Sequence, residues 1–187
     1  LNFKNNYFLS TSNKENLLFV LEIIKRFKIN KNILIKTITN FKGLKYRQQT
    51  IYNKKNIEII NDSKSTSYSS SLEMLKASNN IYWLLGGIPK KGDKFNLPKI
   101  YYENISGYIF GKNTKKFLSD LKKKIKLKRF SNLKKALNGV YRDIKIDRSN
   151  MKTILFSPAA ASFDSFKNFE DRGFYFNKII KKYFNDK

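Results

Sequence analysis

Residues 57–67 read Ile57-Glu58-Ile59-Ile60-Asn61-Asp62-Ser63-Lys64-Ser65-Thr66-Ser67. The opening apolar, β-branched run predicts a strand, and the residues after it place an acid, a lysine and several hydroxyls where that strand ends. A helix is predicted next, over about 66–77, so the segment reads as strand, polar turn, helix. Amides at the start of such a helix favour anions and Lys64 adds charge, while an Asp or Ser N-cap is the plainer use of the same residues.

Outward from this segment the pattern recurs. Apolar runs at Ile81–Leu85, Gly107–Phe110, Ile125–Arg129 and Thr153–Phe156 alternate with helical stretches at about Thr114–Lys123, Leu133–Asp143 and Asp164–Phe184. Such alternation predicts an α/β fold of Rossmann-like type, a mostly parallel sheet with helices on both faces. On the amino-terminal side, Arg47–Tyr52 and Asn56–Ile60 flank Asn53-Lys54-Lys55 and predict a β-hairpin that adds an antiparallel edge strand. Further upstream, Leu17, Leu21, Ile24 and Phe27 recur at helical spacing, predicting a helix over 13–29 with a buried face, capped by Ser12 or Asn13. A shorter helix follows over 31–39, and Asn40-Phe41-Lys42-Gly43 breaks the chain. The domain boundary is therefore placed between 42 and 43, with a short helical piece at 1–42 and the α/β domain at 43–187.

Composition narrows the chemistry. The 187 residues are 41% hydrophobic and 28% charged, enough to fold without disulfide or metal staples. With no Cys and no His, thiol nucleophiles, zinc fingers and His-centred triads are excluded. The formal charge of +25 suggests polyanions at first sight. Only six of the 39 basic residues are Arg, however, and Lys comes with abundant Asn, Ile, Phe and Tyr, the set that A/T-only codons supply. Aromatic residues sit mostly in apolar strands or on helical faces rather than on an exposed basic surface, so nucleic acid is not expected as a partner. No apolar run approaches the ~20 residues that span a bilayer and no secretory leader is recognisable, so a cytoplasmic protein without membrane contact is expected. The chain begins at Leu1 rather than Met, and more sequence is expected to precede it.

Open α/β sheets bind ligands beyond the carboxyl ends of their strands, and three strand exits stand out. The first is Asn61–Ser67. The second is Gly86-Gly87-Ile88-Pro89-Lys90, where two glycines let a ligand approach the backbone and Lys90 supplies a point charge. The third is Ser157-Pro158-Ala159-Ala160-Ala161-Ser162-Phe163-Asp164, continuing to Phe166-Lys167-Asn168-Phe169-Glu170-Asp171-Arg172-Gly173. Small residues allow a tight loop there, and Ser162 with the neighbouring amides suits a carboxylate.

These three strings, in this order and spacing, resemble the C-terminal domain of the D-glutamate-adding Mur ligases. Upstream, Phe41-Lys42-Gly43-Leu44-Lys45-Tyr46-Arg47 resembles that family's Gly-Leu-Pro-His-Arg junction, and Ser12-Asn13-Lys14-Glu15-Asn16 resembles the His-Asn-x-x-Asn end of its central domain. The likeness covers essentially the whole chain. It implies an ATP- and Mg²⁺-dependent ligase of peptidoglycan precursor synthesis that phosphorylates the carboxylate of UDP-N-acetylmuramoyl-L-alanine and lets D-glutamate attack the acyl phosphate. A stand-alone, non-catalytic binding module of the same family is the alternative.

By that resemblance Lys64 is the catalytic residue, near the reacting phosphate. Thr66, Lys90, Ser162, Phe163 and Phe169 are expected at D-glutamate, the last two through their backbone. Asn13 and Asn16 are expected on the adenine side of ATP, Arg47 near its phosphates and Asp62 at its ribose. No metal ligand is expected among these residues. Three departures stand out: Ser12 and Tyr46 replace imidazoles, and Ala160 replaces a cysteine. No Gly-x-x-Gly-Lys-Thr/Ser loop or UDP-binding domain is present in the 187 residues, so the chain alone is expected to be an inactive monomer that needs the N-terminal and central domains.

Overall fold

In the computed structural model, which describes residues 4–9 and 11–184, the chain forms two compact units, 1–44 and 45–187. The first holds helices α1 (Thr11–Ile24) and α2 (Lys31–Asn40), with a short 3-10 turn at Lys25–Phe27. The single helix expected over 13–29 therefore breaks early, where Lys28 takes left-handed dihedrals. Its expected buried face is also corrected. Leu17, Leu21 and Ile24 are only half-buried, Phe27 is exposed, and Phe19 is 74% exposed, because two short helices offer no sheet to cover them. Asn13 is the buried residue of α1, and it lies inside the helix rather than capping it.

The second unit contains β1 (Gln49–Lys54), β2 (Ile57–Asn61), α3 (Tyr68–Ala77), β3 (Ile81–Gly86), β4 (Ile105–Phe110), α4 (Thr114–Leu121), β5 (Lys126–Phe130), α5 (Leu133–Ile146), β6 (Lys152–Phe156) and α6 (Phe169–Phe184). The six strands form one sheet in the order β1-β2-β6-β3-β4-β5. Only β1 runs antiparallel, joined to β2 by the two-residue turn Lys55-Asn56, both at positive φ, as tight hairpins require.

Both sheet faces are covered, and this explains the near-continuous apolar strands. Ile60, Leu85, Ile109 and Leu155 face one core with Tyr68, Leu75, Phe117 and Leu121 of α3 and α4. Their neighbours Ile59, Leu84, Tyr108 and Ile154 face the other, with Leu137 and Val140 of α5 and Phe176, Ile179 and Ile180 of α6. β6 returns late in the chain and inserts between β2 and β3, so the three strand exits singled out in the sequence become neighbours. Two helix starts differ from expectation. α3 begins at Tyr68 behind a Ser67–Ser70 capping box, and α6 begins at Phe169 rather than Asp164, with Asn168 Oδ1 accepting from the Asp171 amide at 2.8 Å. Among the described residues no helix is long and apolar enough to cross a membrane.

Candidate functional site at the carboxyl edge of the sheet

The three exits are tied together by one side chain. Arg172, in the first turn of α6, is fully buried. Its Nε donates to Ser63 Oγ (3.1 Å) and its Nη2 to Ser63 O (2.7 Å), while Nη1 donates to Ala160 O (3.0 Å) and Gly86 O (3.4 Å). The guanidinium thus binds the turns after β2, β6 and β3 at once, in a fork geometry that a lysine cannot reproduce. Burial lowers its pKa to about 10, with Asp164 and Asp62 pulling the other way, so it stays charged at neutral pH. Ser63 Oγ in turn donates to Phe169 O (2.8 Å), which fixes the first peptide of α6. The β3 and β6 exits are joined further by a two-way backbone bridge, Ile88 N to Ala161 O (2.9 Å) and Ala161 N to Ile88 O (3.0 Å).

Beneath this surface lies a buried polar chain. Asp62 is only 4% exposed; its Oδ1 accepts from the Gln48 amide (3.1 Å) and its Oδ2 from Ser157 Oγ (2.9 Å). Hydroxyl contacts continue from Ser157 to Ser71 (2.7 Å) and from Ser71 to Ser65 (2.8 Å). Burial pushes the Asp62 carboxyl up to about 7, against the opposing pull of its hydrogen bonds, Arg47 and Arg172. The residue expected at a ribose therefore turns its carboxyl inward, with both oxygens already bonded within the fold.

The expected anion site at the start of α3 is likewise filled from within. The Tyr68 amide donates to Asp93 Oδ2 (2.6 Å) and the Ser70 amide to Ser67 Oγ (3.3 Å). What remains open at this edge is a set of side chains above it. Lys64 is exposed, with its Nζ 4.0 Å from the centroid of the Phe169 ring, a cation-π contact that joins two of the expected site residues. Thr66 and Lys90 are exposed, Ser162 is buried in the loop held by Arg172, and Phe163 is 71% exposed.

Arg47 is exposed at the start of the second unit. Beside it Tyr46 accepts from the Lys64 amide (3.0 Å) and lays its ring on Gly173, where an added Cβ would lie 2.5 Å from the ring. An aromatic ring thus takes the place at which the resemblance expects an imidazole. In the first unit Asn16 is exposed, whereas Asn13 is buried and donates to Tyr7 O (2.8 Å), so the structure places the two asparagines differently.

Arg172 and Ser157 hold positions in this network that local sequence rules do not assign. A signal for Arg172 was present: it occupies the same helical stripe as Phe176, Ile179 and Ile180, where a solvated arginine does not belong. Ser157 offered no such mark.

No protein-family model matches the chain. Among curated proteins it is 35% identical over 171 residues to the UDP-N-acetylmuramoylalanine-D-glutamate ligase of Rickettsia prowazekii, covering 91% of this chain and 38% of that protein. It is 34% identical over 172 residues to the same-named ligase of a Wolbachia from Brugia malayi, covering 92% and 34%, and 34% identical over 178 residues to that of Prochlorococcus marinus strain NATL2A, covering 91% and 37%. The chain thus spans little more than a third of the curated relatives it matches. Two solved structures from Thermotoga maritima share the fold: UDP-N-acetylmuramate-alanine ligase, with TM-score 0.64 at 16% identity over 95% of this chain and 39% of that one, and a MurF ligase in complex with ADP, with TM-score 0.58 at 15% identity over 92% and 39%. The chain is therefore a relative, along nine-tenths of its own length, of the D-glutamate-adding Mur ligases.

Proposed function

We propose that this chain supplies the amino-acid half of an ATP-dependent ligase that joins D-glutamate to UDP-N-acetylmuramoyl-L-alanine in peptidoglycan precursor synthesis. The observation that carries the reading is the gathering of Lys64, Ser162 and Phe169, from turns far apart in sequence, on one sheet edge organised by Arg172. D-glutamate is a dianion with one amine, and the edge offers cations and hydroxyls suited to it. Lys90, Thr66, Ser162 and the backbone at Phe163 and Phe169 hold the two carboxylates. Lys64, steadied over the Phe169 ring, neutralises charge as the acyl phosphate forms and the amine attacks.

ATP enters as co-substrate, and Arg47 is free to approach its phosphates. Residues 1–42 would be the carboxyl end of the ATP-binding central domain, with Asn16 on the adenine side. The exposure of Leu18, Phe19, Ile23 and Phe27 supports this, since a larger domain would cover them. Mg²⁺ would accompany the ATP phosphates, with its protein ligands supplied mostly by the central domain of the longer enzyme.

Titration of the chain with D-glutamate and L-glutamate, followed by amide NMR, tests the reading. D-glutamate is expected to shift the amides of residues 63–66, 162–164 and 169 more than L-glutamate does, and Lys90→Ala to weaken the effect. Equal shifts from both enantiomers, or shifts untouched by Lys90→Ala, would overturn it.

A further inference from the structure

The proposed site provides for the two carboxylates of D-glutamate and leaves its amine without a partner. Asp164 lies in the turn between β6 and α6, where Ser165 and Phe166 both donate to Ser162 O (3.2 and 3.0 Å). The residue is half-buried, but its Oδ2 is inaccessible to solvent and accepts no hydrogen bond. A Cβ on Gly111, the residue after β4, would lie 3.2 Å from that oxygen. The carboxylate thus reaches from the exit of β6 to that of β4, with the Gly86-Gly87 exit of β3 between them in the sheet.

The other carboxylates of this edge are committed. Asp62 accepts from Gln48 and Ser157, and Asp93 caps α3 through the Tyr68 amide. Asp164 itself takes only local bonds, from its own amide and the Ser165 side chain; Arg172 and Lys112 act on it at a distance, and Arg172 directs its donors at Ser63, Gly86 and Ala160. A buried carboxylate oxygen without a donor is unfavourable, and an ammonium brings three N–H groups and a compensating charge.

Building on the D-glutamate reading, we propose that Asp164, whose side chain is only half-buried, turns this unbonded oxygen outward to receive the α-ammonium of the amino-acid substrate. This makes it the third contact point. Two carboxylate contacts alone accept either enantiomer, whereas a fixed acceptor for the amine on the same α-carbon distinguishes D from L. It also holds the nitrogen in place until the ammonium gives a proton to water, after which its lone pair forms the amide bond to the acyl carbon and phosphate leaves.

Glutarate, a dicarboxylate of the same length without the amine, separates this role from a structural one. Calorimetry on the chain should show D-glutamate binding more tightly than glutarate. Asp164→Asn should weaken D-glutamate roughly tenfold or more, as expected for a charged hydrogen bond, leave glutarate unchanged and shrink the D-over-L preference. Asp164→Ser serves as a second variant, and thermal melts confirm that each is folded. An equal loss for both ligands, or no loss for either, would overturn the assignment of Asp164 while leaving the carboxylate site standing. Failure of the parent chain to bind either ligand would overturn the D-glutamate reading and this assignment with it.

Discussion

Asp62 stands where a ligand would be sought but turns its carboxyl into the fold. The sequence places it at a strand exit, a natural ligand position, yet its carboxyl faces inward to Gln48 and Ser157. Its folded pKa of about 7 lies above the ordinary aspartate value of 3.8, so between those pH values the folded state binds more protons than the unfolded one. The sign follows: Asp62 favours folding below its unfolded pKa, and that contribution is lost as pH rises through its folded one, with a slope approaching about 1.4 kcal/mol per pH unit. Chemical denaturation from pH 4 to 7 should therefore show the parent losing stability relative to Asp62→Asn as pH rises. A constant difference between the two would show that Asp62 titrates normally. Arg172 teaches the complementary lesson. Its position on an apolar stripe was visible in the sequence, but its partners at residues 63, 86 and 160 are defined only by the folded chain.

Among the elements, β2, β3, β4 and β6 were legible because strands covered on both faces must be apolar nearly throughout. The exposed edge strand β5, Lys126-Leu127-Lys128-Arg129-Phe130, carries less of that signal. α6 begins later than the expected Asp164, because Ser162 O accepts two amides in a tight turn and the helix begins only after Asn168. The β3 exit shows why that loop needs glycine. Gly87 has φ +128°, and a Cβ there would lie 2.2 Å from Ala161 O, the acceptor of the Ile88 bridge. Gly87→Ala should destabilise the chain by roughly 2 kcal/mol or more in urea denaturation through strain and loss of that bridge. A change within about 0.5 kcal/mol, the range of a neutral surface substitution, would show that the bridge carries no weight.

For the molecule as a whole, the +25 charge says little about partners; of its basic residues, Arg47, Lys64 and Lys90 are those assigned to ligand anions, while Arg172 is structural. The proposed division of labour leaves the phosphoryl-donor site to the rest of a longer enzyme. A ligation assay on this chain with ATP, Mg²⁺, UDP-N-acetylmuramoyl-L-alanine and D-glutamate should show no turnover above background, and measurable amide formation would contradict the division of labour proposed between domains.

The α/β class, the hairpin and the three ligand-suited turns followed from local rules, since hydrophobic periodicity and turn chemistry are written within a few residues of where they act. Which turns meet was a matter of strand order. β6 enters the sheet between β2 and β3 although some 65 residues separate it from the nearer of them, 86 to 152, and no local pattern encodes that neighbour. Nor could the sequence show which polar groups look outward. Asp62 and Arg172 are turned inward, and Lys64 and Lys90 outward, by the packing of α3 and α6 on opposite faces of one sheet.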